Sequence, residues 1–265
     1  MERPALIASD VDGTLLGLDE RVSPRTAGAV GRAIAAEVPF VLVTGRPPRW
    51  VPRVAAEAGT RGYAVCANGA VLYDLDRGEV VWSRTLDPVL LSSAAEALEG
   101  ALPGCAFAVE RVDDPEAAFV AEPAYRHAWP GSDHGVLSRA VVLGHPAVKL
   151  LVRHPEVTSG QLAGMAEALL GKDVSVTFST DAGLIEIAAP GVTKATGLAD
   201  VAERSGVSAE QVVAFGDMPN DVPMLTWAGH GVAMANAHPE ALAAADEVTA
   251  PHTQDGVAQV LERWF

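Results

Sequence analysis

Ala5-Leu6-Ile7-Ala8-Ser9-Asp10-Val11-Asp12-Gly13-Thr14-Leu15-Leu16 is the stretch from which the fold is read. Ala5 to Val11 is a short apolar run ending in acid, the pattern of a buried strand. In doubly wound sheets ligands sit outside the carboxyl ends of the strands, where Asp10 and Asp12 fall. Residues two apart on an extended chain point the same way, so the two carboxylates are expected to share a face. Like charges so close repel unless a cation or a substrate stabilises them, and Mg²⁺ favours a few carboxylates, waters and phosphate oxygens. Gly13 lets the chain turn sharply and approach a phosphate closely. Asp and Gly are also ordinary turn residues, so the other strand ends must decide.

Outward from this stretch, strands and helices alternate. Ser23-Pro24 reads as an N-cap with proline at the first helical position, opening a helix to about Ala36. Phe40 to Thr44 is a second strand, Trp50 to Ala58 a helix and Tyr63 to Ala67 a third strand. Short apolar strands separated by helices indicate a parallel sheet covered on both faces. The pattern then changes. Gly69 to Leu75 and Val80 to Leu86 flank Asp76-Arg77-Gly78 as a hairpin, and Asp87-Pro88 caps a helix to about Ala101. Cys105 to Val109, Ala140 to Leu143 and Lys149 to Arg153 read as strands, and Asp113 to Gly135 mostly as loop. A helix from Gly160 to Leu170 precedes a second hairpin, Val174 to Ser179 with Leu184 to Ala188. After Pro190 the alternation returns: helix Thr193 to Arg204, strand Val212 to Phe215, helix Asp221 to Thr226, strand Gly231 to Met234 and a helix from Pro239. A last helix buries Val257, Val260, Leu261 and Trp264 at helical spacing. The predicted fold is α/β: a Rossmann-like doubly wound parallel sheet built from residues 1–81 and 188–265, with an α+β domain inserted over 82–187.

The chain has 265 residues, enough for one large domain or two modest ones at ~150 residues each. Its 19 Lys and Arg against 34 Asp and Glu give a net charge of −15. Nucleic-acid binding needs basic side chains to displace counterions, so a nucleic-acid partner is excluded, and so is an anionic membrane surface. A hydrophobic fraction of 49% with 20% charged residues is the balance of a globular protein, and 5% aromatics means a core of Ala, Val and Leu. Cys66 and Cys105 are too few for a disulfide framework and lie in no CxxC or Cys/His cluster, so they read as reduced, buried thiols. No signal peptide and no membrane-spanning run are expected, which points to the cytoplasm.

Other strand ends add chemistry. Thr44-Gly45-Arg46 ends the second strand, where a hydroxyl and backbone N–H groups can bind phosphate. Gly216-Asp217-Met218-Pro219-Asn220-Asp221 follows Val212 to Phe215 and adds two acids and an amide. Lys194, one of three lysines with Lys149 and Lys172, lies near the start of a core helix. All four segments fall at one edge of one sheet.

With these residues in view, the sequence resembles the haloacid dehalogenase-like (HAD) phosphohydrolases over essentially its whole length. Asp10-Val11-Asp12-Gly13-Thr14 resembles the first motif of that superfamily, DxDG[TV]. Thr44 matches the second, Lys194 the third, and Gly216 to Asp221 the fourth, GDxxND, with Pro219 a mild departure. Asn68-Gly69-Ala70 and Asp255-Gly256-Val257 resemble the Cof-type members, subfamily IIB, which carry a C2 cap between the second and third motifs.

The resemblance implies a set of roles. Asp10 is the nucleophile, giving an aspartyl-phosphate. Asp12 is the general acid and then the base, and its backbone carbonyl is a metal ligand. Asp10 and Asp217 hold Mg²⁺, with Asp221 supporting directly or through water. Thr44, Gly45 and Lys194 hold phosphate oxygens, and Asn220 orients Lys194 or the phosphate. The implied activity is a Mg²⁺-dependent phosphatase on small cytosolic phosphomonoesters, sugar phosphates first. Alternatives are a narrow sucrose-phosphate or mannosyl-3-phosphoglycerate phosphatase, or a phosphomannomutase-like phosphotransferase. A non-enzymatic phosphate binder needs no nucleophile, and no G-x-S-x-G elbow supports a serine hydrolase. The expected partner is a small phosphorylated metabolite, for a monomer or homodimer. In the insertion, Lys149, Arg153, His154 and Glu186 read as solvated groups, with substrate contact as the alternative.

Overall fold

The computed structural model describes residues 2–114, 117–126 and 135–265. In chain order the elements are β1 (Leu6–Ser9), α1 (Pro24–Ala35), β2 (Phe40–Val43), α2 (Val51–Ala58), β3 (Tyr63–Cys66), β4 (Val71–Asp74) and β5 (Glu79–Ser83). The insertion follows with α3 (Pro88–Ala101), β6 (Ala106–Glu110), β7 (Phe119–Ala121), β8 (Gly135–Val136), α4 (Arg139–Val142), β9 (Lys149–Arg153), α5 (Ser159–Leu170), β10 (Ser175–Thr177) and β11 (Leu184–Ala188). The chain closes with α6 (Lys194–Arg204), β12 (Val212–Gly216), α7 (Val222–Trp227), β13 (His230–Met234), α8 (Pro239–Ala244), β14 (Glu247–Thr249) and α9 (Gly256–Leu261).

Local chemistry sets the helix starts. Ser23 accepts the Thr26 N–H, Asp87 that of Leu90, and Thr158 and Thr193 form capping boxes with Gln161 and Thr196. Gly59 in the left-handed region ends α2. The strands β1, β2 and β12 are buried along their whole length, which suits apolar runs covered on both faces.

The first sheet has the order β14-β13-β12-β1-β2-β3-β4-β5. Strand β1 pairs in parallel with both β12 and β2, in register Ile7 with Val213 and with Phe40. The chain winds outward through β2 and β3, then returns to wind the other way from β12. The winding therefore reverses at β1, and a crevice opens at the carboxyl ends of β1 and its neighbours. The other sheet, β10-β11-β9-β6-β7-β8, is antiparallel except where β7 pairs with β8. The chain divides into two compact units, one running to Trp82 and resuming at Thr193, the other Ser83–Val192. Strand β11 runs through Ala188 and belongs wholly to the second sheet.

Five elements differ from expectation, one of them β8 at the close of the expected loop 113–135. The apolar run Ala140 to Leu143 is helical, inside α4 and its cap, not a strand. Four such residues fit either state. Here the Arg111 guanidinium donates to the Val141 and Val142 carbonyls at 3.0 Å and satisfies the end of a short helix. Strand β7 lies within the expected loop 113–135, of which 115–116 and 127–134 fall outside the described residues. Strand β14 extends the first sheet where none was expected. Helix α9 buries Val257, Val260 and Leu261 but stops before Trp264, which is half-buried. Among the described residues no helix is long and apolar enough to cross a membrane.

Candidate active site

Asp10 follows β1 directly. Its N–H donates to Phe215 O at 2.9 Å, continuing the pairing with β12, and the residue is 5% exposed. The chain then leaves the extended conformation, because the Leu15 and Leu16 N–H groups both turn back to Val11 O at 3.0 Å. Asp10 and Asp12 consequently differ in surroundings, although the Asp12 charge still acts on Asp10 and Asp217. Asp12 is exposed, and its carboxylate is gripped at both oxygens by Arg46, Nη2 to Oδ1 at 2.5 Å and Nε to Oδ2 at 2.8 Å.

Gly13 turns at φ 78°, and a Cβ there would stand 2.2 Å from Asp217 Oδ2. Its lack of a side chain lets the loop close on a carboxylate. Thr14 Oγ1 donates to Asp217 Oδ1 at 3.2 Å. Asn236 Nδ2 donates to Gly13 O at 2.9 Å and lies 3.4 Å from Asp217 Oδ2, while the His252 N–H donates to Asn236 Oδ1. Asn236 was not expected from the sequence. Its signal is a polar side chain just past the carboxyl end of β13, at the same sheet edge.

Lys194 opens α6 and is wholly buried, placed by the Thr193 capping box. Its Nζ donates to Asp10 Oδ1 and to Asp221 Oδ1, both at 2.5 Å. Burial works against the ammonium, but Asp10 and Asp221 outweigh it and hold Lys194 charged. Asp221 Oδ2 accepts the N–H groups of Asp217 and Met218 at 2.9 Å each. Gly216 leaves room for this, since a Cβ there would stand 2.4 Å from Asp221 Cβ.

The carboxylates are crowded. Asp10, Asp217 and Asp221 each offer an oxygen within 4.8 Å of the others. Burial pushes Asp10 well above the usual carboxylate range, with Lys194 opposing and Asp221, Asp217 and Asp12 adding. Burial also lifts Asp217 to about 7, reinforced by Asp221. Three carboxylates and one ammonium leave −2 when all are ionised, and hard oxygens with that charge suit a divalent cation. Asp221 is held at both oxygens by short bonds of 2.5–2.9 Å, whereas Asp217 is held only at 3.2 and 3.4 Å and Asp10 at one oxygen, so Asp10 and Asp217 are the carboxylates more open to direct ligation and Asp221 the one behind them.

The remaining expected residues surround this cluster. Thr44 ends β2 fully buried, its N–H on Val65 O and its Oγ1 accepting the Arg46 N–H at 3.0 Å, with Gly45 between. Asn220 is buried in the tight turn Pro219–Asp221, and its Nδ2 donates to Asn68 Oδ1 at 3.1 Å. In the insertion, three of the four groups expected to be solvated are buried. Lys149 Nζ meets Glu186 Oε1 at 2.9 Å with both side chains about 5% exposed, and His154 lies against Pro103 O. Lys149 and Glu186 sit on facing sheet strands, so pairing removes the cost of burying either charge alone. Arg153 donates to Arg126 O at 2.6 Å.

An acidic strand end, a buried lysine bridging two of its acids and a GDxxND turn define a known constellation. The profile of the haloacid dehalogenase-like hydrolases matches residues 7–261, and the chain belongs to that family. With it goes the enzyme class, phosphoric monoester hydrolase. The chain is 29% identical to the pyridoxal phosphate phosphatase of Escherichia coli (strain K12) over 269 residues, covering 97% of each. It is 29% identical to the HMP-PP phosphatase of Serratia proteamaculans (strain 568) over 267 residues, 98% of this chain and 95% of the relative. Among solved structures, a HAD subclass IIB sugar phosphatase superposes with a TM-score of 0.83 at 21% identity, covering 98% of each chain, and shows the same fold.

Proposed function

We propose that the protein is a Mg²⁺-dependent phosphatase that hydrolyses small phosphorylated metabolites, sugar phosphates first among them, through an aspartyl-phosphate at Asp10. The observation that carries this reading is the buried Asp10 carboxylate at the carboxyl end of β1, held at one oxygen by Lys194 and facing Asp217. The match to phosphatases acting on pyridoxal phosphate and HMP-PP supports a small phosphorylated substrate.

Asp10 attacks phosphorus while the bond to the ester oxygen breaks, and Asp12 gives its proton to the leaving alcohol. Water then attacks phosphorus, Asp12 takes the water's proton, and the Asp10 carboxylate leaves. Lys194 opposes the rise that burial imposes on Asp10, holds its carboxylate in place, and offsets charge on the phosphoryl oxygens. Thr44 and Gly45 supply a hydroxyl and a backbone N–H on the β2 side. Asp10, Asp217 and the Asp12 carbonyl, with Asp221 behind them, would hold a divalent cation, which would supply positive charge against the remaining negative charge. The net charge of −15 is thereby answered locally, because a bound cation dominates the field of its site.

The test is phosphate release from a panel of phosphorylated metabolites, run with Mg²⁺, after EDTA, and after Mg²⁺ is restored. Activity that disappears in EDTA and returns with Mg²⁺ is expected. Full activity in EDTA contradicts the metal's role, and no release from any ester contradicts the activity.

A further inference from the structure

None of the catalytic steps uses the turn Ala67–Asn68–Gly69 that follows β3. Its three residues are buried, and all hold positive φ, at 49°, 57° and 99°. Left-handed backbone is unfavourable for a residue with a Cβ, Asn tolerating it better than Ala. Such strain persists only where the surroundings over-determine it.

Here the surroundings are three loops of the site. The Ala67 N–H donates to Arg46 O at 2.9 Å and the Asn68 N–H to Thr44 O at 3.0 Å. Gly69 lies against the start of α6, where a Cβ would stand 2.0 Å from Thr193 O and 3.3 Å from Lys194 N. Asn68 Oδ1 accepts from Asn220 Nδ2. Asn220 sits in the same tight turn as Asp221, which holds both Lys194 Nζ and the N–H groups of Asp217 and Met218. One buried turn thus touches the phosphate-side loop of β2, the lysine helix and the acidic turn after β12.

We propose that Asn68 is a positioning residue. Through Asn220 it sets the 219–221 turn against Lys194, so that Asp10, Asp217 and Lys194 keep their spacing. This inference rests on the phosphatase reading. Both asparagines are buried, so losing the Asn68 side chain removes the acceptor of Asn220 Nδ2 at a place away from water and frees the turn to shift. Displacement of a catalytic group by about an ångström is enough to slow turnover without removing any group that binds substrate.

Asn68→Gly keeps a residue at ease in the left-handed region and removes only the side chain, whereas Asn68→Ala also strains the backbone. Steady-state kinetics on an activated aryl phosphate should show kcat lower by about 10-fold for Asn68→Gly, with KM changed less than about twofold. The double variant Asn68→Gly/Asn220→Ala should be slower than Asn220→Ala alone by clearly less than the loss seen for Asn68→Gly in the wild type, because both changes remove the same Asn68–Asn220 bond. By NMR, the Asn220 side-chain amide protons should exchange slowly in the wild-type protein and quickly in Asn68→Gly. A wild-type kcat in Asn68→Gly overturns the inference, and so does a double variant whose loss is the product of the single losses. If the wild-type protein releases no phosphate from any ester, the phosphatase reading falls on its own. The amide exchange then still decides whether Asn68 holds Asn220, and an unprotected amide in the wild type ends the proposal.

Discussion

Asp10 and Asp12 are neighbours in sequence and stand in different media. Asp10 is buried against Lys194, while Asp12 is exposed and paired with Arg46. Asp10→Asn should abolish turnover, since an amide is not a competent nucleophile here; aryl phosphate hydrolysis measures it. Asp12→Ala should slow turnover by ~10²–10⁴-fold, the range for general acid–base catalysis, and should slow poor leaving groups most. Equal slowing of alkyl and activated aryl phosphates would contradict the acid role. Arg46→Ala removes a pair in which Asp12 is exposed and Arg46 half-buried, and should cost about 1 kcal/mol of stability. It should still lower kcat/KM for an alkyl phosphate by about 10-fold more than for an aryl phosphate, because Asp12 loses its orientation. The strand-end positions of Asp10 and Asp217 were legible in the sequence, because carboxylates gathered there repel one another unless a cation or a phosphate group binds. Lys194 was singled out through its match to a family motif, since a lysine near a helix start is commonly a solvated one. The exposure of Asp12 and its pairing with Arg46 were not legible, since they depend on the turn closed by Leu15 and Leu16 on Val11 O. Asn68 and Asn236 were not assigned site roles either, because asparagine is common in any loop.

Elements obey the same distinction between local and long-range causes. Caps at Ser23 and Asp87 set helix starts that could be read in advance, whereas Thr158 and Thr193 were not expected as caps. The run Ala140 to Leu143 could not be read, because its state is decided by Arg111, about thirty residues away in sequence. Helix α6 shows what tertiary packing adds. Gly197 faces β3, and a Cβ there would stand 2.5 Å from Val65 Cγ1 and 3.0 Å from Gly69 Cα. Gly197→Ala should therefore destabilise the protein by ~2 kcal/mol through overpacking, although alanine is the better helix former. That corresponds to a fall in Tm of about 4–8 °C by calorimetry. An unchanged Tm would mean that α6 does not pack so closely on β3, and the placement of Lys194 would lose its support.

For the whole molecule, the buried acidic cluster makes stability depend on pH and on metal together. Burial raises Asp10 well above its ordinary value and lifts Asp217 from 3.8 to about 7. The folded state then binds more protons than the unfolded one between those values, so the stability these groups confer is complete in acid and is lost as pH rises through about 7. On the proposed reading a divalent cation would bind the ionised carboxylates and reverse the loss. Mg²⁺ should therefore raise Tm by more at about pH 7.5 than at about pH 5.5, read by thermal melts with EDTA-treated protein as the reference. The alternation of strand and helix made the doubly wound core legible, because each strand there is buried on both faces. The second sheet was legible as α+β, but not in detail, because strands as short as β7 and β8 are held by partners distant in sequence. Passage of the phosphoryl group through Asp10 is the step on which the proposed chemistry stands. It can be trapped by quenching the enzyme during turnover, reducing it with borohydride and mapping its peptides by mass spectrometry. An aspartyl-phosphate reduces to homoserine, so that mass change is expected at position 10 and at no other aspartate. Full turnover with Asp10 unmodified, in a protein whose Asp10→Asn variant is still active, would contradict it.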